Sequence, residues 1–102
     1  MLFRSEHAIL TVKSSETENF EEAFAQAIRL VAASPGCLNA RLERCLETEN
    51  RYQLVIEWES LESHTRVFRE SPLYAQFRAL LIDFYDEKPV VDHYQIVLRS
   101  TD

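Results

Sequence analysis

Residues 56–72 read IEWESLESHTRVFRESP, and this stretch decides the fold. An aromatic residue, Trp58, closes a strand. A short helix follows, with Ser60 at its cap position and Leu61, His64, Thr65 and Phe68 along one stripe. Ser71-Pro72 then opens a second helix, the serine as cap and the proline at the first helical position, where a backbone N–H has no partner to lose. A strand-ending Trp that faces a His-bearing helix and an aromatic helix is one way to line a small-molecule pocket. The rest of the chain shows no catalytic triad, metal-ligand cluster or phosphate loop, so any chemistry is sought here.

Working outward, Tyr52, Leu54, Ile56 and Trp58 share one face of a strand over 52–59. Upstream, Ala8, Leu10 and Val12 alternate with Ile9 and Thr11, which predicts a first strand over 7–13 with two partly apolar faces. Ser15 with Glu18 fits a capping box. Phe20, Ala23, Phe24, Ala27, Ile28 and Val31 recur at helical spacing, and Ser34-Pro35-Gly36 stops that helix. A second strand is expected over 37–47, with Leu38, Ala40, Leu42 and Leu46 on one parity, and a polar turn over 47–51. Downstream, Tyr74, Phe77, Leu81, Phe84 and Tyr85 form the aromatic side of the last helix. Pro89 ends the connection, and 90–99 reads as a final strand. The order β-α-β-β-α-β is the ferredoxin-like α+β pattern, with helices on one face of a four-stranded antiparallel sheet. Val55, Val91 and Val97 are assigned to the other face. A bare apolar sheet face calls for a cover, and a homodimer through the sheet faces supplies it most economically.

Composition sets the bounds. A chain of 102 residues is one domain of modest core, taken here as 1–102. The net charge of −6 argues against nucleic acid, whose phosphates need a basic face. No apolar run is long enough for a membrane helix, and MLFRSEHAIL lacks a signal-peptide pattern, so a cytoplasmic protein is expected. Cys37 and Cys45 fall in one predicted strand. Eight extended residues span roughly 26 Å, whereas a disulfide requires Cα atoms within about 7 Å. Free thiols are therefore expected, with neither a CxxC pair nor a metal knuckle.

The ordered set of Pro35-Gly36, Tyr52, Trp58-Glu59-Ser60, His64, Phe68, Ser71-Pro72 and His93-Tyr94 covers nearly the whole chain. It resembles the antibiotic biosynthesis monooxygenase (ABM) family of the dimeric α/β-barrel superfamily. The resemblance implies a homodimer with one pocket per subunit between helices and sheet. It also implies a choice among several chemistries: cofactor-independent oxygenation of polycyclic aromatics, haem degradation, and isomerisation of a small carbonyl metabolite. The haem-degrading branch fits less well. Its iron-ligating His would fall within 74–78, which reads YAQFR, and the Asn it carries before the Trp is replaced by Ile56-Glu57.

Each candidate residue has an ordinary reading beside the functional one. Trp58 is either a core aromatic or the wall on which a planar substrate stacks. His64 is either a boundary histidine or a base that removes a phenolic proton, and His93 on the last strand is the alternative base. Cofactor-free oxygenation needs that step, because the resulting anion is electron-rich enough to reduce dioxygen. Phe68, Tyr74 and Phe77 are core residues or pocket walls, and Tyr74 is a candidate to donate a hydrogen bond to a substrate oxygen. Arg78 is a solvated cation or the partner of an anionic substrate, and Asn39 on the second strand is a weaker polar candidate. No metal and no cofactor is expected, since two His in separate elements make a poor metal site. The function this supports is oxidation of a small aromatic or polyphenolic ligand. A non-catalytic binding module, a carbonyl isomerase and a purely structural dimer are the competing readings.

Overall fold

A computed structural model describes residues 4–101, except the side chain of His64. Strand β1 (Arg4–Thr11) leads through a 3₁₀ turn (Ser14–Glu16) into helix α1 (Thr17–Ala32). Strands β2 (Cys37–Arg44) and β3 (Arg51–Trp58) form a hairpin, followed by a π-helix (Ser63–Phe68). Helix α2 (Pro72–Leu81), a 3₁₀ turn (Ile82–Phe84) and strand β4 (Val90–Gln95) complete the fold. The four strands make one antiparallel sheet in the order β2-β3-β1-β4, the ferredoxin-like arrangement. No helix among the described residues is long and apolar enough to cross a membrane.

Alternation on the central strands builds the core. Ala8 and Leu10 of β1, and Tyr52, Leu54, Ile56 and Trp58 of β3, point to the helices and are buried. Helix α1 answers with Phe20, Phe24, Ala27 and Val31, at the spacing that keeps one stripe on the sheet. Phe20 packs on Tyr52 with ring centroids 4.9 Å apart, and Phe24 meets Phe77 of α2 edge-on at 5.9 Å.

Local signals hold in some places and yield in others. Ser71 caps α2 by accepting a hydrogen bond from the Tyr74 amide, with Pro72 at the first position. Ser60 accepts from the Ser63 amide at 3.1 Å at the start of the π-helix. The expected box of Ser15 and Glu18 does not form. The 3₁₀ turn uses Ser15, Glu16 takes the cap position without a capping bond, and its carboxylate accepts instead from the Asn19 side chain at 3.0 Å. A bulge between Cys37 and Asn39 breaks the parity predicted for β2: Ala40 and Leu42 keep to the helix face, but Leu38 is exposed. That strand ends at Arg44 rather than near 47, so Leu46 lies beyond it and is 90 % exposed. Strand β4 stops at Gln95, opposite Arg4, instead of reaching 99. Val91, assigned to the open face, pairs with Ala8 and therefore faces the helices, and Val97 lies outside the strand.

The smallest dimension, 20 Å, is that of one sheet and one layer of helices. The second sheet face carries Ile9, Val55, Val90 and Tyr94 among polar neighbours. Both cysteines are free thiols.

Candidate functional site

Between α2 and the sheet lies a cavity of about 200 Å³. Its floor is the apolar row of the central strands: Ala8 and Leu10 of β1, Leu54 and Ile56 of β3, and Val91 of β4. Its roof is aromatic, with Phe68 from the end of the π-helix, Tyr74 and Phe77 from α2, and Tyr85 beyond it. Phe68 stands edge-on to Tyr74 at 5.5 Å and to Phe77 at 5.7 Å, so the three rings brace one another. Neither the Tyr74 nor the Tyr85 hydroxyl has a hydrogen-bond partner among the described residues, which leaves both available to a ligand. Burial, helped by Tyr74, holds the Tyr85 phenol well above the usual range, so it acts as a donor.

One ionisable group sits on the floor. Glu6 is only 6 % exposed, and its Oε1 accepts from the Trp58 indole Nε1–H at 3.0 Å. Burial raises the affinity of this carboxyl for its proton, against the opposing pull of the Trp58 bond and of Arg69. Glu6 was absent from the sequence-derived candidates, although a signal existed: extending the alternation Val12, Leu10, Ala8 back by two residues lands on it.

The sequence-derived candidates divide. Phe68, Tyr74, Phe77 and Arg78 line the cavity. Trp58 does not: it is 1 % exposed, tilted against Phe68 at 5.7 Å, and stands behind the wall as the support of Glu6. Asn39 is placed elsewhere, because it pairs with Glu57 on the opposite sheet face, where both are turned from the helices. His93 pairs with Glu6 across β1 and β4, so it shares the helix face with Glu6 and Trp58 at the cavity's margin, though it is not one of the lining residues. His93 as a whole is exposed, yet partial desolvation of the ring, with Arg69 adding to it and Asp92 opposing, lowers its proton affinity. A neutral imidazole is thereby favoured near pH 7. The side chain of His64 lies outside the described residues, while its backbone belongs to the π-helix. Among the described residues no cluster of three or more His, Cys, Asp or Glu side chains forms a metal site.

Comparison with known proteins agrees with this architecture. Residues 5–80 match the family described as antibiotic biosynthesis monooxygenase. Uncharacterized protein YczJ of Bacillus subtilis (strain 168) is 40% identical over 92 residues, covering 90% of this chain and 97% of that protein. A crystal structure from Bordetella bronchiseptica, assigned to the antibiotic biosynthesis monooxygenases, superposes with a TM-score of 0.91 at 34% identity, covering 96% of this chain and 100% of the other. SnoaB from Streptomyces nogalater, a cofactor-independent oxygenase solved in a mutant form, shares the fold with a TM-score of 0.73 at 21% identity, covering 97% and 95%. The chain therefore belongs to the antibiotic biosynthesis monooxygenase family.

Proposed function

We propose that this protein is a cofactor-independent monooxygenase of a small aromatic or polyphenolic compound, bound in the cavity between α2 and the sheet. The observation that carries the reading is the joining of an aromatic roof to a buried carboxyl and a neighbouring imidazole on one sheet face. The same fold serves a cofactor-independent oxygenase in Streptomyces nogalater.

In this mechanism the ring lies between the sheet and Phe77, with Tyr74 donating to the substrate oxygen. His93, or His64 from the π-helix, accepts the acidic proton, and Glu6 fixes the polarity of the floor. The resulting carbanion or phenolate passes one electron to dioxygen, and recombination of the two radicals gives a peroxide. Loss of water then leaves the quinone, so that an anthrone plus O₂ yields an anthraquinone plus H₂O. Apolar walls keep bulk water from the anion. The working unit is a homodimer joined through the open sheet faces, with one cavity per subunit.

Oxygen consumption by metal-free protein across hydroxylated naphthalenes, anthrones and quinols tests this. One O₂ consumed per quinone formed, with the rate lost in His93→Gln or His64→Gln, is the expected result. Saturable binding without oxygen uptake would instead make the protein a binding module. Turnover of a small carbonyl compound without oxygen would make it an isomerase.

A further inference from the structure

The charge of the cavity runs opposite to that of the chain. The protein carries 17 acidic and 11 basic side chains, excluding His. Yet the cavity is lined by three cations, Arg69, Arg78 and Lys88, and by one carboxyl group, Glu6. Burial raises that carboxyl's affinity for its proton, against the pull of the Trp58 bond and of Arg69. Three cations to one carboxyl leave the lining with an excess of basic groups whichever form it takes. None of the three cations forms an ion pair among the described residues, whereas Arg41, Arg44 and Arg66 all do. Arg69 is held over the Tyr74 ring, 5.3 Å from its centroid, at the wall of the cavity. The three come from separate places: the residue after the π-helix, the last turn of α2 and the segment before β4. Their convergence is therefore a product of the tertiary fold and not of one helix face. The lining is otherwise mostly apolar, and a low-dielectric wall strengthens attraction between a charge at its edge and an opposite charge inside.

We propose that the cavity selects aromatic carboxylates, with the ring under Tyr74 and Phe77 and the carboxylate held by Arg69, Arg78 and Lys88. This rests on the reading of the cavity as the substrate site and narrows its substrate class. A guanidinium fork matches the two oxygens of a planar carboxylate, and the ammonium of Lys88 adds a point charge. Arg78 lies one residue beyond Phe77 on α2, which sets the charged end of the ligand beside the aromatic roof.

Calorimetric titration of the full chain without oxygen, using 1-hydroxy-2-naphthoate and its uncharged amide, tests the proposal. The naphthoate is expected to bind about tenfold or more tightly than the amide at low salt. That preference should shrink as salt rises. It should fall to about twofold or less in Arg78→Met/Lys88→Met, both exposed positions, and persist in Arg29→Met on α1, outside the cavity. Equal affinity for acid and amide, failure of both to bind, or a preference undiminished in the double variant would each overturn it. Because oxygen is absent, the result does not depend on turnover. Selective binding of the naphthoate without oxygen uptake in air removes the oxygenase reading and keeps this one. Oxygen uptake on neutral quinols, with acid and amide bound alike, does the reverse.

Discussion

Replacing Trp58 with Phe probes how the protein keeps a carboxyl group inside its core. The indole Nε1–H donates to Glu6 at 3.0 Å, and both side chains are almost completely enclosed. The substitution withdraws a hydrogen bond to an ionisable group, worth about 1.5–3 kcal/mol when the acceptor is charged. It also leaves a void of roughly 40 Å³, which adds about 1 kcal/mol at 24 cal/mol per Å³. The sum, roughly 2.5–4 kcal/mol, is large beside a total stability of about 5–15 kcal/mol for a domain. The effect also has a pH signature. Burial raises the folded-state pKa of Glu6 above its ordinary value of 4.5, while Trp58 and then Arg69 pull it down. The stability tied to this group is thus fully present below the unfolded pKa and is lost as pH rises through the folded one. Without the indole the folded pKa climbs further, so the gap between wild type and Trp58→Phe widens from pH 4 to pH 8. The widening should be about 1 kcal/mol, the difference between a charged and a neutral acceptor. Guanidinium unfolding followed by far-UV circular dichroism measures it, since the substitution removes the protein's one tryptophan. In a Glu6→Gln background the pH-dependent part should vanish. A gap that stays constant from pH 4 to pH 8, or one that Glu6→Gln leaves unchanged, would refute the reasoning.

Three further outcomes follow from the geometry. Gly36 has φ +87°, and a Cβ there would collide with the Ser63 side chain. Gly36→Ala should therefore cost at least about 1–2 kcal/mol, read as a lower melting temperature, and Ser63→Gly should recover only the steric part. Tyr52 donates its hydroxyl to Glu21 at 2.6 Å, and this bond, ahead of Arg44, lowers the Glu21 pKa. The stability gained is present above the unfolded pKa and is lost as pH falls through the folded one. Because Glu21 is more than a third exposed, Tyr52→Phe should cost under about 1 kcal/mol at pH 7, a difference that urea unfolding should show shrinking as pH is lowered into the acid range. On the open sheet face, Ile9→Glu should shift a dimer toward monomer in sedimentation velocity, and an unchanged mass would show that this face is not the joint.

The elements were legible wherever a local rule and the tertiary fold demanded the same thing. Ser71-Pro72 begins α2 because capping serves that helix in any context, and the stripe of α1 is buried as its spacing requires. The roof of the cavity was legible as geometry, since Phe68, Tyr74, Phe77 and Arg78, all named from the sequence, line it. The floor was not. A glutamate reads as a surface residue, and the partner that makes its burial tolerable, Trp58, is 52 positions away. The same distance problem misplaced Trp58: an aromatic at a strand end can be wall or support, and only the neighbouring carboxyl decides between them. Leu38 was misjudged because a one-residue bulge interrupts the alternation, and nothing in CLNARLER announces it, whereas Asn39 keeps the parity opposite to Ala40 and Leu42 and is thereby turned from the helices. The strand over 90–99 was overlong because an apolar run continues past the last residue to which β1 offers a described partner.

The π-helix has a consequence for how this gene can change. Its wide turn brings Phe68 into the core while Thr65, Arg66 and Val67 stay exposed and Arg69 follows at the cavity wall. Deleting one residue would let the segment relax to ordinary α-helical winding, turning every later side chain by about 100° about the axis. Phe68 would swing out of the core, and the chain would reach Ser71 short. Substitutions on the outer side of this turn should accumulate freely, whereas insertions and deletions should be purged. Its length, more than its composition, is what inheritance has to preserve.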